Sequence, residues 1–137
     1  MASKVFLDAN VILEYFLGRE KKEEVREIFL LIESGTIKAF TSTSIIQTCG
    51  YILLKTYNKL LTRQILMGML KTITIIDCLH ATVVLALNSS ISDIEDAIQY
   101  YSALQHSMEY YLTFDKELIK QSTLQLPILS PVNFLSN

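Results

Sequence analysis

Lys4–Val5–Phe6–Leu7–Asp8–Ala9–Asn10–Val11–Ile12–Leu13 decides how this chain folds. Val5, Phe6 and Leu7 form a continuous apolar run, the pattern of a parallel-sheet strand buried on both faces. Asp8 then stands at the strand's carboxyl end, the edge at which open α/β sheets bind ligands. A second apolar stretch with helical character runs from Val11 to Leu17, and Asn10 is placed to cap it. A carboxylate beside an apolar strand is costly to bury unless a cation or hydrogen-bond donors meet it. Asp8 is therefore either a solvated turn residue or part of a charged site.

Outward from this stretch the chain alternates. Lys21–Glu33 carries Val25, Ile28, Phe29 and Ile32 on one helical face, with Lys and Glu on the other. Gly35 is suited to the left-handed residue that stops this helix. Ile37–Thr41 reads as a strand, and the hydroxyl cluster Thr41–Ser44 offers N-caps for a helix from about Ser44 to Tyr57. Further helices are expected over Thr62–Lys71, His80–Leu87, Asp93–His106 and Lys116–Gln121. The remaining strands are Thr74–Ile76, Tyr110–Thr113 and Ile128–Leu129. Strands joined by helices imply crossover connections, hence a mostly parallel sheet covered on both faces: a three-layer α/β/α sandwich.

The 137 residues fit one domain spanning the whole chain. Half are apolar and the mean hydropathy is +0.33. No apolar run approaches the ~18 residues of a membrane span, so this excess points to a partner or to self-association, for which a homodimer is the expected form. The start of the chain lacks a basic-then-apolar leader pattern, and a cytoplasmic protein is expected. Cys49 and Cys78 lie in apolar segments without metal-ligand spacing and read as buried, reduced thiols. A net charge of −2 argues against a broad basic nucleic-acid footprint, though not against nucleic-acid chemistry through a metal ion.

The acids are distributed suggestively. Asp93 and Asp96 are three apart at the start of a helix, on one face, with Glu95 expected to point elsewhere. On this helix alone, a capping box from Ser92 to Glu95 and a favourable helix dipole are the better account of these acids. Thr113–Phe114–Asp115, however, repeats the arrangement at Asp8, with a carboxylate leaving the end of an apolar strand. Four carboxylates within ~5 Å of one another would repel by roughly 3 kcal/mol per pair at an effective dielectric near 20. Such a cluster requires a cation, raised pKa values or wider spacing. Oxygen-only ligands suit Mg²⁺ or Mn²⁺, and metal-assisted phosphodiester hydrolysis is the leading chemistry.

The motifs FLDANVIL (6–13), SDIEDAIQ (92–99) and TFD (113–115), in this order on alternating strands and helices, resemble the PIN domain. This is a small α/β/α ribonuclease fold that includes the toxins of VapBC-type toxin–antitoxin pairs. Each motif alone is weak; the three together are fairly specific, and the similarity extends through the Pro127–Phe134 tail. The resemblance implies an endoribonuclease using Mg²⁺ or Mn²⁺, acting on RNA and held by a small antitoxin protein. It places Asp8, Asp96 and Asp115 at the metal, adds Asp93 as a further catalytic acid, and makes Asn10 and Thr113 accessory polar residues. PIN nucleases usually carry a glutamate on the helix after the second strand. Here Thr48 falls at that position, and no acid lies between Ile37 and Ile76. Either Asp93 restores the missing charge, or the chain is a degenerate module that binds RNA or protein without cutting.

Other residues receive structural readings. His80 is expected in the core or at its edge, and His106 at a helix C-terminus. Gly50 and Gly68 suggest close helix approach, and the tyrosines at 100, 101, 110 and 111 suggest packing rather than base stacking. Lys55, Lys59, Arg63 and Lys71 form the one basic concentration, which reads as a solvated face.

Overall fold

Five short strands make one all-parallel sheet in the order β3-β2-β1-β4-β5, in a computed structural model that describes residues 2–137. They are β1 (Ser3–Leu7), β2 (Ile37–Ser42), β3 (Ile73–Ile76), β4 (Tyr110–Leu112) and β5 (Ile128–Leu129). β1 is central, with Val5 opposite Ala39 of β2 on one side and Tyr110 of β4 on the other. Val5, Phe6 and Leu7 have no solvent exposure, as a strand covered on both faces requires. The chain builds outward from β1 through β2 to β3, then returns to the far side of β1 for β4 and β5. The strand order therefore reverses between β1 and β4, the switch point at which open α/β sheets bind ligands.

Eight helices connect and flank the strands among the described residues. They are α1 (Ala9–Phe16), α2 (Lys22–Glu33), α3 (Thr43–Leu53), α4 (Lys59–Met69), α5 (His80–Leu87), α6 (Ile94–Gln105), α7 (Lys116–Ile119) and α8 (Pro131–Leu135). α1 lies against α2 and α3, α3 against α4, and α5 against α6. With helices over the sheet, the molecule is the expected three-layer α/β/α sandwich. Thr82 of α5 donates a hydrogen bond to Gln105 of α6, fastening that pair. Gly35 takes φ +77°, the left-handed backbone anticipated at the end of α2.

Several local expectations are corrected. Asp8, not Asn10, caps the first helix, accepting a hydrogen bond from Ala9 N at 2.8 Å. Asp93, not Ser92, caps α6 through Asp96 N at 2.9 Å. Asn10 is engaged elsewhere, donating to the Thr113 hydroxyl and accepting from Phe114 N. α3 stops at Leu53 rather than Tyr57, where the Tyr57 hydroxyl donates to Phe16 O at 2.6 Å and turns the chain away. α4 starts three residues earlier than expected, capped by Asn58. α7 ends at Ile119 instead of Gln121. Cys49 is buried, but Cys78 is exposed in the segment between β3 and α5. His80 is exposed at the start of α5, outside the core. Gly50 does face α4, a Cβ there lying 3.6 Å from Leu66 Cδ1, whereas Gly68 has open space before it.

Candidate active site

At the switch point, where the strand order reverses, acids arrive from three directions. Asp8 leaves β1, Asp115 follows β4 by three residues, and Asp93 with Asp96 open α6. Asp8, Asp93 and Asp115 share one local device: each caps the helix that begins after it. Asp115 Oδ1 accepts from Glu117 N at 2.9 Å and Leu118 N at 3.4 Å. A β-strand entering a helix leaves free amide hydrogens at the helix start, and an aspartate satisfies them with one oxygen. The second oxygen is left for other work.

Thr113 is the hub that ties two of these acids together. Its hydroxyl donates to Asp8 Oδ2 at 2.9 Å and accepts from Asn10 Nδ2 and Asp115 N, each at 3.0 Å. One donor and two acceptor positions are thus all in use. Asn10 Oδ1 accepts from Phe114 N at 3.1 Å, so this side chain bridges α1 to the turn after β4. Asn10 and Thr113 act as a pair, which is why Asn10 is not available as a helix cap. Thr41 anchors the neighbouring strand end, donating to Leu7 O at 3.0 Å.

The electrostatics are those of a crowded, uncompensated anion cluster. Burial raises Asp8 from 3.8 to about 6, against the lowering effects of Thr113 and Ala9 N; Glu95 and Asp115 raise it further. Asp96, half-buried, is pushed to about 7, by burial first and then by the charges of Asp93, Asp8, Asp115 and Glu95. Among the described residues the two ion pairs are Arg26–Glu23 and Lys120–Glu117, both exposed and neither involving these acids. Glu95, exposed on α6, adds its charge to the field at Asp8 and Asp96.

Thr48 is half-buried on α3 and brings no charge. Its neighbour Cys49 is fully buried, and the thiol is pushed up to about 12 by burial and by the charge of Asp8, which puts this turn of α3 beside the cluster. The four aspartates do not meet at one point as expected. Among the described residues, no three His, Cys, Asp or Glu side chains converge closely enough to share an ion as they stand. Asp8, Asp93 and Asp115 are each held by their own helix start, and mutual repulsion favours the wider spacing. Residue-by-residue reading missed Glu95 and Tyr111. Tyr111 on β4 precedes Thr113 by two, and Thr113 N continues the ladder to Leu129 O, so the period of a strand puts both on one face.

A central parallel sheet with carboxylates at its switch point defines a small α/β/α protein with an acidic site. The sequence matches the family model for the PIN domain over residues 4–117, and the chain belongs to the PIN domain family. No curated protein sequence matches it. Solved structures similar in fold include VapBC2 from Rickettsia felis bound to a promoter DNA fragment (TM-score 0.67, 14% identity, covering 93% of this chain and 98% of that one). Another is VapC20 of Mycobacterium tuberculosis, a toxin that cleaves the sarcin–ricin loop (0.68, 11%, 90% and 98%). PAE2754 from Pyrobaculum aerophilum also shares the fold (0.67, 14%, 99% and 96%).

Proposed function

We propose that this protein is a divalent-metal-dependent endoribonuclease and the toxin of a toxin–antitoxin pair. The observation that carries the reading is the cluster itself: Asp8, 9% exposed, shares its field with Asp96, Asp115 and Glu95, and no cationic side chain among the described residues is paired to it. A buried carboxylate raised to about 6 is an energetic cost that a bound cation would reverse. All the donors are carboxylate or neutral oxygens, a set that fits Mg²⁺ or Mn²⁺ and not zinc. Asp8, Asp96 and Asp115 would hold the ion by drawing in from the wider spacing they keep without it, and the ion when bound would supply charge neutralisation for a phosphodiester and a more acidic water. Thr113 fixes the orientation of Asp8 and the turn into Asp115. Asn10 locks that turn to α1, and Asp93 adds a fourth negative charge where Thr48 supplies none.

Two surfaces fit the partners of this reading. A groove of about 510 Å³ between α1, α2 and α4 is walled by Phe16, Phe29, Ile65 and Met69, with Arg26 and Glu33 among its polar residues. It suits an amphipathic helix of an antitoxin laid apolar face inward. α5 and its flanks expose Leu79, Val84, Leu85 and Leu87, a face for a second copy in a homodimer. Sedimentation showing only monomer at tens of micromolar would argue against the dimer.

The activity is tested on a mixed pool of single-stranded RNA with Mn²⁺. Wild type is expected to cleave slowly, and EDTA or Asp96→Asn to stop it. Wild-type cleavage that persists through both changes excludes the metal-nuclease reading. Absence of wild-type cleavage, with activity appearing in Thr48→Glu, would instead identify a degenerate site.

A further inference from the structure

Tyr111 is a buried group that the site chemistry above does not use. Its ring on β4 lies between Phe6 of β1 and Tyr100 of α6, with centroids 4.9 and 6.3 Å away. The residue has no solvent exposure, and its hydroxyl oxygen has no hydrogen-bond partner. Buried hydroxyls are nearly always paired, because leaving one unpaired forfeits the water it gave up. Tyr100, 4% exposed and packed against the same ring, meets that rule: its hydroxyl pairs with Thr123 at 2.9 Å. A phenylalanine at 111 would fill the same space without the cost.

The position of the unpaired hydroxyl explains what it is for. Tyr111 is opposite Phe6 in the sheet, and Asp8 and Thr113 follow these two residues by two on the same face. Burial foremost, then the charges of Asp8, Asp96, Glu95 and Asp115, keep the phenol protonated well above its ordinary range. It is thus a fixed donor beneath an acid cluster. Of those acids, Asp8 already accepts from Ala9 N and Thr113, and Asp115 caps α7. Glu95 is exposed to water. Asp96 is half-buried, lies one helical turn before Tyr100, and its carboxylate accepts no hydrogen bond from the described residues. An unpaired donor therefore lies within the field of an unpaired acceptor, one helical turn from the Tyr100 ring it packs against.

We propose that Tyr111 is a positioning residue of the acid site, its hydroxyl donating to the Asp96 carboxylate when the cluster binds a divalent cation. This rests on the metal reading above. A ligand carboxylate steered by a buried donor keeps its orientation and its charge, and loss of such outer partners weakens metal binding about 10–100-fold in other sites. Tyr111→Phe retains the ring and its contacts with Phe6 and Tyr100, which separates the hydroxyl from packing.

Wild type and Tyr111→Phe are compared by Mn²⁺ titration calorimetry, by thermal unfolding without metal, and by near-ultraviolet difference spectra on adding Mg²⁺. The expected result is a metal-free melting temperature equal to or above wild type, with Mn²⁺ affinity lowered about tenfold or more. A tyrosine difference band on Mg²⁺ addition should appear in wild type and vanish in the variant. Equal affinity and equal spectra in the two proteins would overturn the role of Tyr111 alone. A lower metal-free stability in Tyr111→Phe would also overturn it, because the hydroxyl would then be paired in the resting fold. Wild type that binds no Mn²⁺ would overturn the metal reading and this inference together.

Discussion

At the scale of single residues, Asp8 concentrates the conflict between stability and function. Asp8 is raised from 3.8 to about 6 and Asp96 to about 7, both chiefly by burial. Between these values and 3.8 the folded protein holds protons that the unfolded chain has released. The associated stability is therefore complete below about pH 4 and is lost as pH rises through 6 and 7. The metal-free melting temperature should fall between pH 5 and pH 8. Asp8→Asn removes the charge at a cost of part of the Thr113 hydrogen bond, about 0.5–1.5 kcal/mol. Relief of a shift of about two units is worth about 3 kcal/mol. The variant should thus be about 1.5–2.5 kcal/mol more stable than wild type at pH 8, with a flatter pH profile. Thermal melts across this pH range check it; a wild-type profile that rises towards pH 8 would contradict the burial of a charge at Asp8.

At the scale of elements, α6 begins with two acids that do different jobs. Asp93 caps the helix and adds its charge to Asp96, and two substitutions separate these effects. Asp93→Ala should cost about 0.5–2 kcal/mol by losing the cap. Asp93→Asn keeps an acceptor for Asp96 N, so stability should change little while the Asp96 pKa falls. Carbon-detected NMR titration of the Asp96 carboxyl in both variants checks the sign, and an unmoved Asp96 in Asp93→Asn would contradict the coupling. This dual use explains what the sequence could and could not disclose. The apolar run Val5–Leu7 and the repeat at Tyr110–Leu112 expose a buried parallel sheet, because such strands have no polar face to confuse the pattern. Asp8 and Asp115 were legible from their places at strand ends. Helix ends were less so, since Asn10, Asp8, Ser92 and Asp93 all suit capping and only the tertiary partner decides. Asn10 is taken by Thr113, which lies 103 residues away. Tyr111 was hidden for the same reason: nothing local distinguishes a packing tyrosine from one whose hydroxyl lies under a cluster of acids.

At the scale of the whole molecule, the acid site and the α1–α2–α4 groove are lined by different residues. Binding of a partner in the groove and of a cation at the acid site should therefore be separable. Gly68 borders the groove and has no atom within 4 Å of an added Cβ, so Gly68→Glu is tolerated by the fold. It should weaken binding of a helical partner peptide at least tenfold by burying an unpaired charge, and leave Mn²⁺ affinity unchanged. Isothermal titration of both ligands into one variant checks the separation, and loss of Mn²⁺ binding in Gly68→Glu would contradict it. The central claim is that the acids are a cation site whose charge the fold tolerates for the sake of its ligand. Thermal unfolding of wild type and Asp8→Asn at pH 8, with and without Mn²⁺, tests it most directly. Wild type should melt lower than Asp8→Asn without the ion and gain stability with it, while the variant gains little, so that the difference narrows or reverses. Equal stabilisation of the two proteins by Mn²⁺, or none of either, would contradict the account.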